Sequence, residues 1–292
     1  MRISRVLCRV AVTASLLALA GGARAQEEEK YVLPVSYPER PLTYPAGILD
    51  PALDVDFQRI PGAASATLGA AAPGSQIATS LALGAGYAIT NDFGVRATVL
   101  NMSLTPSPVY YSGVTGGATY RFLRGTFEMG IALDGGVELA PPSSNISAIG
   151  VITPSIPMHI HLGKPARLDI VPTFPILTGG GTMGVGGTTD VGFAVPIQLA
   201  VDIIEPLHVG VTTGYGMILN PPNPETVGNS VFIPVGFIAG YAIAGRKGPV
   251  LDLDPMFLWS ELFMPGAPAG ASKVNSGTYI FGLEATVYLY LI

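Results

Sequence analysis

The stretch Asp190-Val191-Gly192-Phe193-Ala194-Val195-Pro196-Ile197-Gln198-Leu199-Ala200-Val201-Asp202-Ile203 decides the fold. Val191, Phe193, Val195, Ile197, Leu199, Val201 and Ile203 are large and apolar, and every residue between them is small or polar. Strict alternation over this length marks a strand with two unlike faces. Ile77 to Thr90 repeats it, with Ile77, Leu81, Leu83, Tyr87 and Ile89 set against Ala78, Ser80, Ala82, Gly84, Gly86 and Ala88. A soluble sandwich turns its apolar face inward and keeps an outer face that is polar and often charged. Here the second face is tiny and the greasy face continues from strand to strand. That suits a closed sheet whose bulky side chains meet lipid and whose other face lines a lumen.

Composition agrees. The chain has 292 residues, 49% of them hydrophobic and only 12% charged. Ordinary soluble domains carry about 25% charged residues. A disordered chain is poorer in apolar residues, and a coiled coil does not carry 37 glycines and 26 prolines. No stretch after the first 25 residues offers the ~18 unbroken apolar residues of a membrane helix. The best, Val231 to Ala244, is interrupted by Pro234, Gly236 and Gly240.

Residues 1–25 read as a secretory signal peptide. Arg2, Arg5 and Arg9 precede an apolar run from Val10 to Ala20, and Ala23-Arg24-Ala25 supplies the small-x-small cleavage pattern. Cleavage after Ala25 removes Cys8, the single cysteine, along with four arginines. The remaining 267 residues carry 11 basic and 20 acidic side chains. A net charge of −9 disfavours nucleic acid and anionic head groups as partners.

Residues 26–47 form a second unit, polar at Gln26 to Lys30 and punctuated by Pro34, Pro38, Pro41 and Pro45. Such a segment cannot join a hydrogen-bonded ladder and is expected to be extended. Two readings stand: a free periplasmic tail, or a strap entering the mouth of a barrel.

Residues 48–292 hold the barrel. Twelve strands are expected (10–14 allowed), at 48–59, 76–90, 94–104, 110–122, 125–138, 147–162, 167–177, 190–204, 206–218, 230–244, 249–262 and 277–292. Connections after odd strands are long and rich in Gly, Pro, Ser and Asn; those after even strands are short. Tyr87, Tyr120, Phe122, Phe127 and Tyr241 lie near the short turns, where an interfacial girdle belongs.

With its signal, strand pattern and terminus, the chain resembles bacterial, Gram-negative outer-membrane β-barrel proteins of porin type. The resemblance implies an all-β, transmembrane, antiparallel up-and-down barrel in the outer membrane with both termini periplasmic. In that class the final strand is an assembly signal read by the barrel-assembly machinery, ending in an aromatic residue with apolar residues at alternate positions. Here Ile292 replaces the aromatic, and Tyr290 and Tyr288 keep the spacing. In that register Glu284 faces lipid unless a bulge intervenes. The string Pro38-Glu39-Arg40-Pro41-Leu42-Thr43-Tyr44-Pro45-Ala46-Gly47 is similar to a lead-in before the first strand of exported barrels.

Alternation assigns the inward side chains. Asp54, Asp56, Gln58, Arg96, Thr119, Arg121, Glu128, Asp134, Glu138, His159, His161, Asp169, Asp190, Gln198, Asp202, His208, Asp252 and Asp254 point into the lumen. Most lie within several residues of the short-turn end. They form a belt whose charged members are Asp54, Asp56, Arg96, Arg121, Glu128, Asp169, Asp202, Asp252 and Asp254. One reading is a structural network bridged by the two arginines; the other is an acidic constriction favouring cations. His159, His161 and His208 are weak metal candidates, because two His at i and i+2 share a strand face. No cofactor and no catalytic group is expected. Gly179 to Gly184 fits G-x-G-x-x-G by letters alone, with no helix to follow. The expected function is a narrow channel or solute-specific porin passing small solutes or cations. The alternative is a non-conducting structural or surface-interaction barrel, with an outer-membrane hydrolase a third class.

Overall fold

A computed structural model describes residues 32–60, 76–105, 108–139, 148–179, 189–220, 227–265 and 273–291. Residues 1–31, read above as signal peptide and polar lead, and the terminal Ile292 lie outside the described residues.

Sixteen strand segments make twelve staves. They are β1 (Ile48–Ile60), β2 (Gln76–Thr90), β3 (Phe93–Thr105), β4 (Tyr110–Tyr111 and Gly113–Leu123), β5 (Phe127–Leu139) and β6 (Ala148–Ser155 and Met158–His161). The chain returns through β7 (Ala166–Ile170 and Ile176–Gly179), β8 (Thr189–Ile204), β9 (Leu207–Ile218), β10 (Ile233–Gly245), β11 (Gly248–Phe263) and β12 (Tyr279–Val287 and Leu289–Tyr290). Each stave is antiparallel to the next, and β12 pairs with β1 from Ala52↔Thr286 to Arg59↔Tyr279. The sheet therefore closes and has no free edge, as a sheet in lipid requires. The observed staves match the expected strands to within a few residues.

Alternation sets the two faces. Val99 (62% exposed), Ile131, Leu133, Ile203, Phe237 and Leu283 stand on the outer surface. Tyr87, Tyr120, Phe122, Phe127 and Tyr241 are also exposed, near the short turns. A charged group among them would cost ~2–4 kcal/mol at mid-depth.

Prolines interrupt two staves. β6 breaks at Ile156-Pro157 and β7 across Val171 to Pro175. Pro cannot donate to a ladder, yet the wall stays joined. Ile156 N donates to Pro172 O at 2.9 Å, Phe174 N to Pro154 O at 2.9 Å and Thr173 N to Ala194 O at 2.8 Å.

The last stave departs from the expected register. Phe281, Leu283, Val287, Leu289 and Leu291 face outward, while Glu284 lines the lumen and Tyr288 is buried. No bulge is needed. The apolar odd residues take the outer side, where Leu is favoured over a carboxylate. The aromatic pair Tyr288 and Tyr290 turns inward instead, where its hydroxyls find Asp252 at 2.8 Å and Pro249 O at 2.8 Å.

Among the described residues, a buried apolar cluster draws in residues 32–47. Leu33, Ile48 and Tyr288 form this cluster, with Tyr44 and Tyr290 against it. Leu33 and Pro38 are among the largest fully buried side chains.

Candidate functional site: a lumen with a plugged mouth

The segment 32–47 sits inside the short-turn mouth, as the strap reading expects and unlike a free tail. It fails to become a strand because four prolines remove N–H donors. Among the described residues, no backbone–backbone hydrogen bond joins positions 32–44 to a barrel stave. Side chains hold it instead, around nearly the whole circumference. Thr43 Oγ1 donates to Asn91 O at 2.7 Å, and Asn91 Oδ1 accepts from Ala46 N at 2.8 Å, in the β2–β3 turn. Glu128 of β5 accepts from Leu42 N at 2.6 Å. His161 of β6 meets Pro38 O at 2.7 Å. Arg167 of β7 donates to Tyr37 O at 2.9 Å and Arg40 O at 3.1 Å. Gln198 of β8 donates to the Tyr37 hydroxyl at 3.2 Å, and His208 of β9 stacks on the Tyr37 ring at 4.2 Å.

Arg40 joins the plug to the remaining arc. Its guanidinium forks onto Asp252 of β11, with Nη2 3.2 Å from Oδ1 and Nη1 in close contact with Oδ2. It also donates to the Tyr288 hydroxyl at 3.1 Å. The same group donates to Pro34 O at 3.1 Å and Val35 O at 3.2 Å, so it folds the plug as well as anchoring it. Arg40 is 3% exposed and Asp252 2%. Burial alone would lower the Arg40 pKa; the hydrogen bond with Asp252 outweighs it and holds Arg40 above its ordinary value. Burial pushes Tyr44 up to about 12.

The expected belt residues are all inward, but they do not form one ring. Arg121 and Glu128 pair at 3.1 Å, and Arg121 also reaches Asp92 at 3.2 Å. Asp92, in the β2–β3 turn, is partly buried, which works to raise it; the bonds from Arg124 and Arg121 prevail and hold it below the usual carboxylate range. Arg96 forks onto Asp134 at 2.8 and 2.6 Å. Arg167 grips Asp169 at 2.9 Å. Asp202 lies at the mouth with Ser36 and Glu205. His159 approaches Asp169 at 3.6 Å and His208 approaches Asp254 at 3.5 Å. His161 and His208 touch the plug, and His159 faces the Asp169 that pairs with Arg167. Among the described residues, no group of three His, Cys, Asp or Glu is placed to hold a metal ion.

Charge separates around the circumference. A cavity of about 430 Å³ is bordered by Arg40, Arg96, Arg167, His159, Asp50 and Asp169. A larger one, about 600 Å³, lies along β11, β12, β1 and β2. Six carboxylates border it, Asp50, Asp54, Asp56, Asp252, Asp254 and Glu284, against Arg40 and Arg96. Three of these are cross-strand neighbours, since Glu284 pairs with Asp54 on one side and with Asp254 on the other. Sequence reasoning missed Asp50, Glu284, Arg40 and Arg167. Parity would have found Asp50 and Arg167, which share faces with Asp54 and Asp169.

Among solved structures, the chain is similar to the NanC porin in a rhombohedral crystal form, with 11% identity, a TM-score of 0.52, 81% of this chain covered and 100% of that one. It is likewise similar to the COG4313 outer membrane channel from Pseudomonas putida F1, with 10% identity, a TM-score of 0.52, 85% of this chain covered and 97% of that one. The likeness is one of fold: a closed, antiparallel β-barrel of twelve staves, of the kind seen in that porin and that channel. No protein-family model matches the chain, and no curated protein matches it.

Proposed function

We propose that the protein is an outer-membrane channel whose lumen favours cations, with its short turns and both termini on the periplasmic side. The observation that carries this reading is the row Asp54–Glu284–Asp254 across three adjacent staves. Like charges directly opposed across a sheet destabilise it. Such a row is tolerable where water and counter-ions reach it, and it faces the 600 Å³ cavity. An acidic wall raises the local concentration of cations and repels anions. The fold shared with a porin and an outer membrane channel supports a conducting role.

Planar-bilayer recording under a salt gradient tests the charge preference. The wild type is expected to give a cation-selective reversal potential, and the triple change Asp54→Asn, Asp254→Asn, Glu284→Gln is expected to move it toward the anion side. An unchanged reversal potential removes the acidic wall as the selectivity element. The plugged mouth favours a second reading, a barrel that does not conduct. Absence of current above leak from every variant, including those below, would establish that reading.

A further inference from the structure

We infer that residues 32–47 are a displaceable gate and that the Arg40–Asp252 pair is its bolt. The inference rests on the channel reading and adds its regulation. Three observations carry it.

The plug is attached differently from the wall around it. Its backbone bonds to the wall are confined to a hinge at its end, where Ile48 N donates to Pro45 O at 3.4 Å, Gly47 N to Ala88 O at 2.8 Å and Leu291 N to Gly47 O at 3.0 Å. The other described contacts with the staves involve side chains, so no ladder bond has to break for positions 32–44 to move. Most of its grips fall on the arc from β2 to β9, while the acidic wall is met by three side-chain polar contacts. Those are Arg40 on Asp252 and Tyr288, and the Tyr44 hydroxyl on that of Tyr288 at 3.3 Å. The larger cavity ends on these residues, since Arg40, Tyr44, Asp252 and Tyr288 all border it. The bolt therefore stands at the short-turn end of the acidic wall, directly in the line a cation would follow.

Arg40 also folds the plug on itself through Pro34 O and Val35 O. Losing its carboxylate partner leaves a buried guanidinium with unmet charge, a costly state relieved by moving toward water. Release of Arg40 thus frees the wall contact and loosens the plug's own turn together. The guanidinium is a tethered cation on a carboxylate at the short-turn end of an acidic wall. A mobile cation arriving at Asp252 competes with it, so the bolt is set against the class of ion the lumen admits.

The test uses the full chain with one reporter. Ser36 is buried in the plug, and Cys8, the only cysteine, lies in the segment read as signal peptide. Ser36→Cys is labelled with a charged thiol reagent while current is recorded from parallel bilayers. Arg40→Gln and, separately, Asp252→Asn are expected to raise the labelling rate at least about tenfold, given the cost of breaking a buried pair. Both are expected to raise the open fraction. The charge-swapped double variant, Arg40→Asp with Asp252→Arg, is expected to restore slow labelling and closure, which a merely misfolded single variant would not allow. Labelling at the wild-type rate in both single variants overturns the bolt. Rapid labelling without current upholds the bolt and removes the channel reading, so the two fail separately.

Discussion

Tyr44 shows how one side chain couples the plug to pH. Its ring packs edge-on to Tyr288 at 5.6 Å and its hydroxyl meets that of Tyr288 at 3.3 Å. Burial lifts its pKa to about 12 from an ordinary value of 10, although Arg40 pulls the other way and Asp50 and Tyr37 add to the rise. A raised folded-state value means the neutral phenol stabilises the docked plug fully below pH 10, and that contribution is lost as pH climbs from 10 to 12. Phenolate absorbance near pH 12 should therefore fall by one tyrosine in Tyr44→Phe. Ser36→Cys labelling should accelerate over the same interval, and a Tyr44 that titrates at 10 would refute the docked phenol. Position by position, alternation sufficed to point Asp252 into the lumen. It offered nothing on Arg40, which lies in a segment with no periodicity, 212 residues from its partner.

Among the described staves, β6 and β7 are expected to open most readily. Pro154, Pro157, Pro172, Pro175 and Pro196 remove five donors from three neighbouring staves. Local opening follows the density of ladder bonds. Amide exchange in detergent should run about tenfold or more faster at Ile156, Thr173 and Phe174 than at Leu53 and Leu81 in the uninterrupted β1–β2 pair. Equal protection would mean the irregular bonds match a regular ladder. The sequence signals for these staves were strong enough to place both, since strand and turn chemistry are local. The breaks inside them depend on how neighbours accommodate a missing N–H, which no single stretch records. β12 teaches the complementary point. Its terminal aromatics resembled an outward-facing signal, whereas the energetics of Glu284 decided the parity, and lipid accepts Leu283, Leu289 and Leu291 more readily than a carboxylate.

For the molecule as a whole, the outward assignment of bulky residues can be read from its single tryptophan. Trp259 packs edge-on against Phe257 at 4.5 Å and Phe237 at 6.5 Å. Phe237, Phe257, Phe281 and Phe57 are paired in one row across β10, β11, β12 and β1. Brominated lipids should quench Trp259 fluorescence in proteoliposomes, and soluble iodide should quench it weakly. The opposite order would place this face in water and dissolve the barrel assignment. Loop-length alternation made the architecture legible, because it follows from the up-and-down path. Which carboxylates become neighbours did not follow. Parity tells inside from outside, whereas the Asp54–Glu284–Asp254 row depends on the register with which the last stave meets the first.

That junction also orders events in assembly. Arg40 lies just before β1, and its receptors, Asp252 and Tyr288, belong to the two staves made last. The plug's final anchor therefore does not exist until the seam between first and last staves has formed. Docking of this N-terminal arm is in effect a completion signal: a chain still open along its side keeps the arm loose, and only a finished cylinder can draw it in.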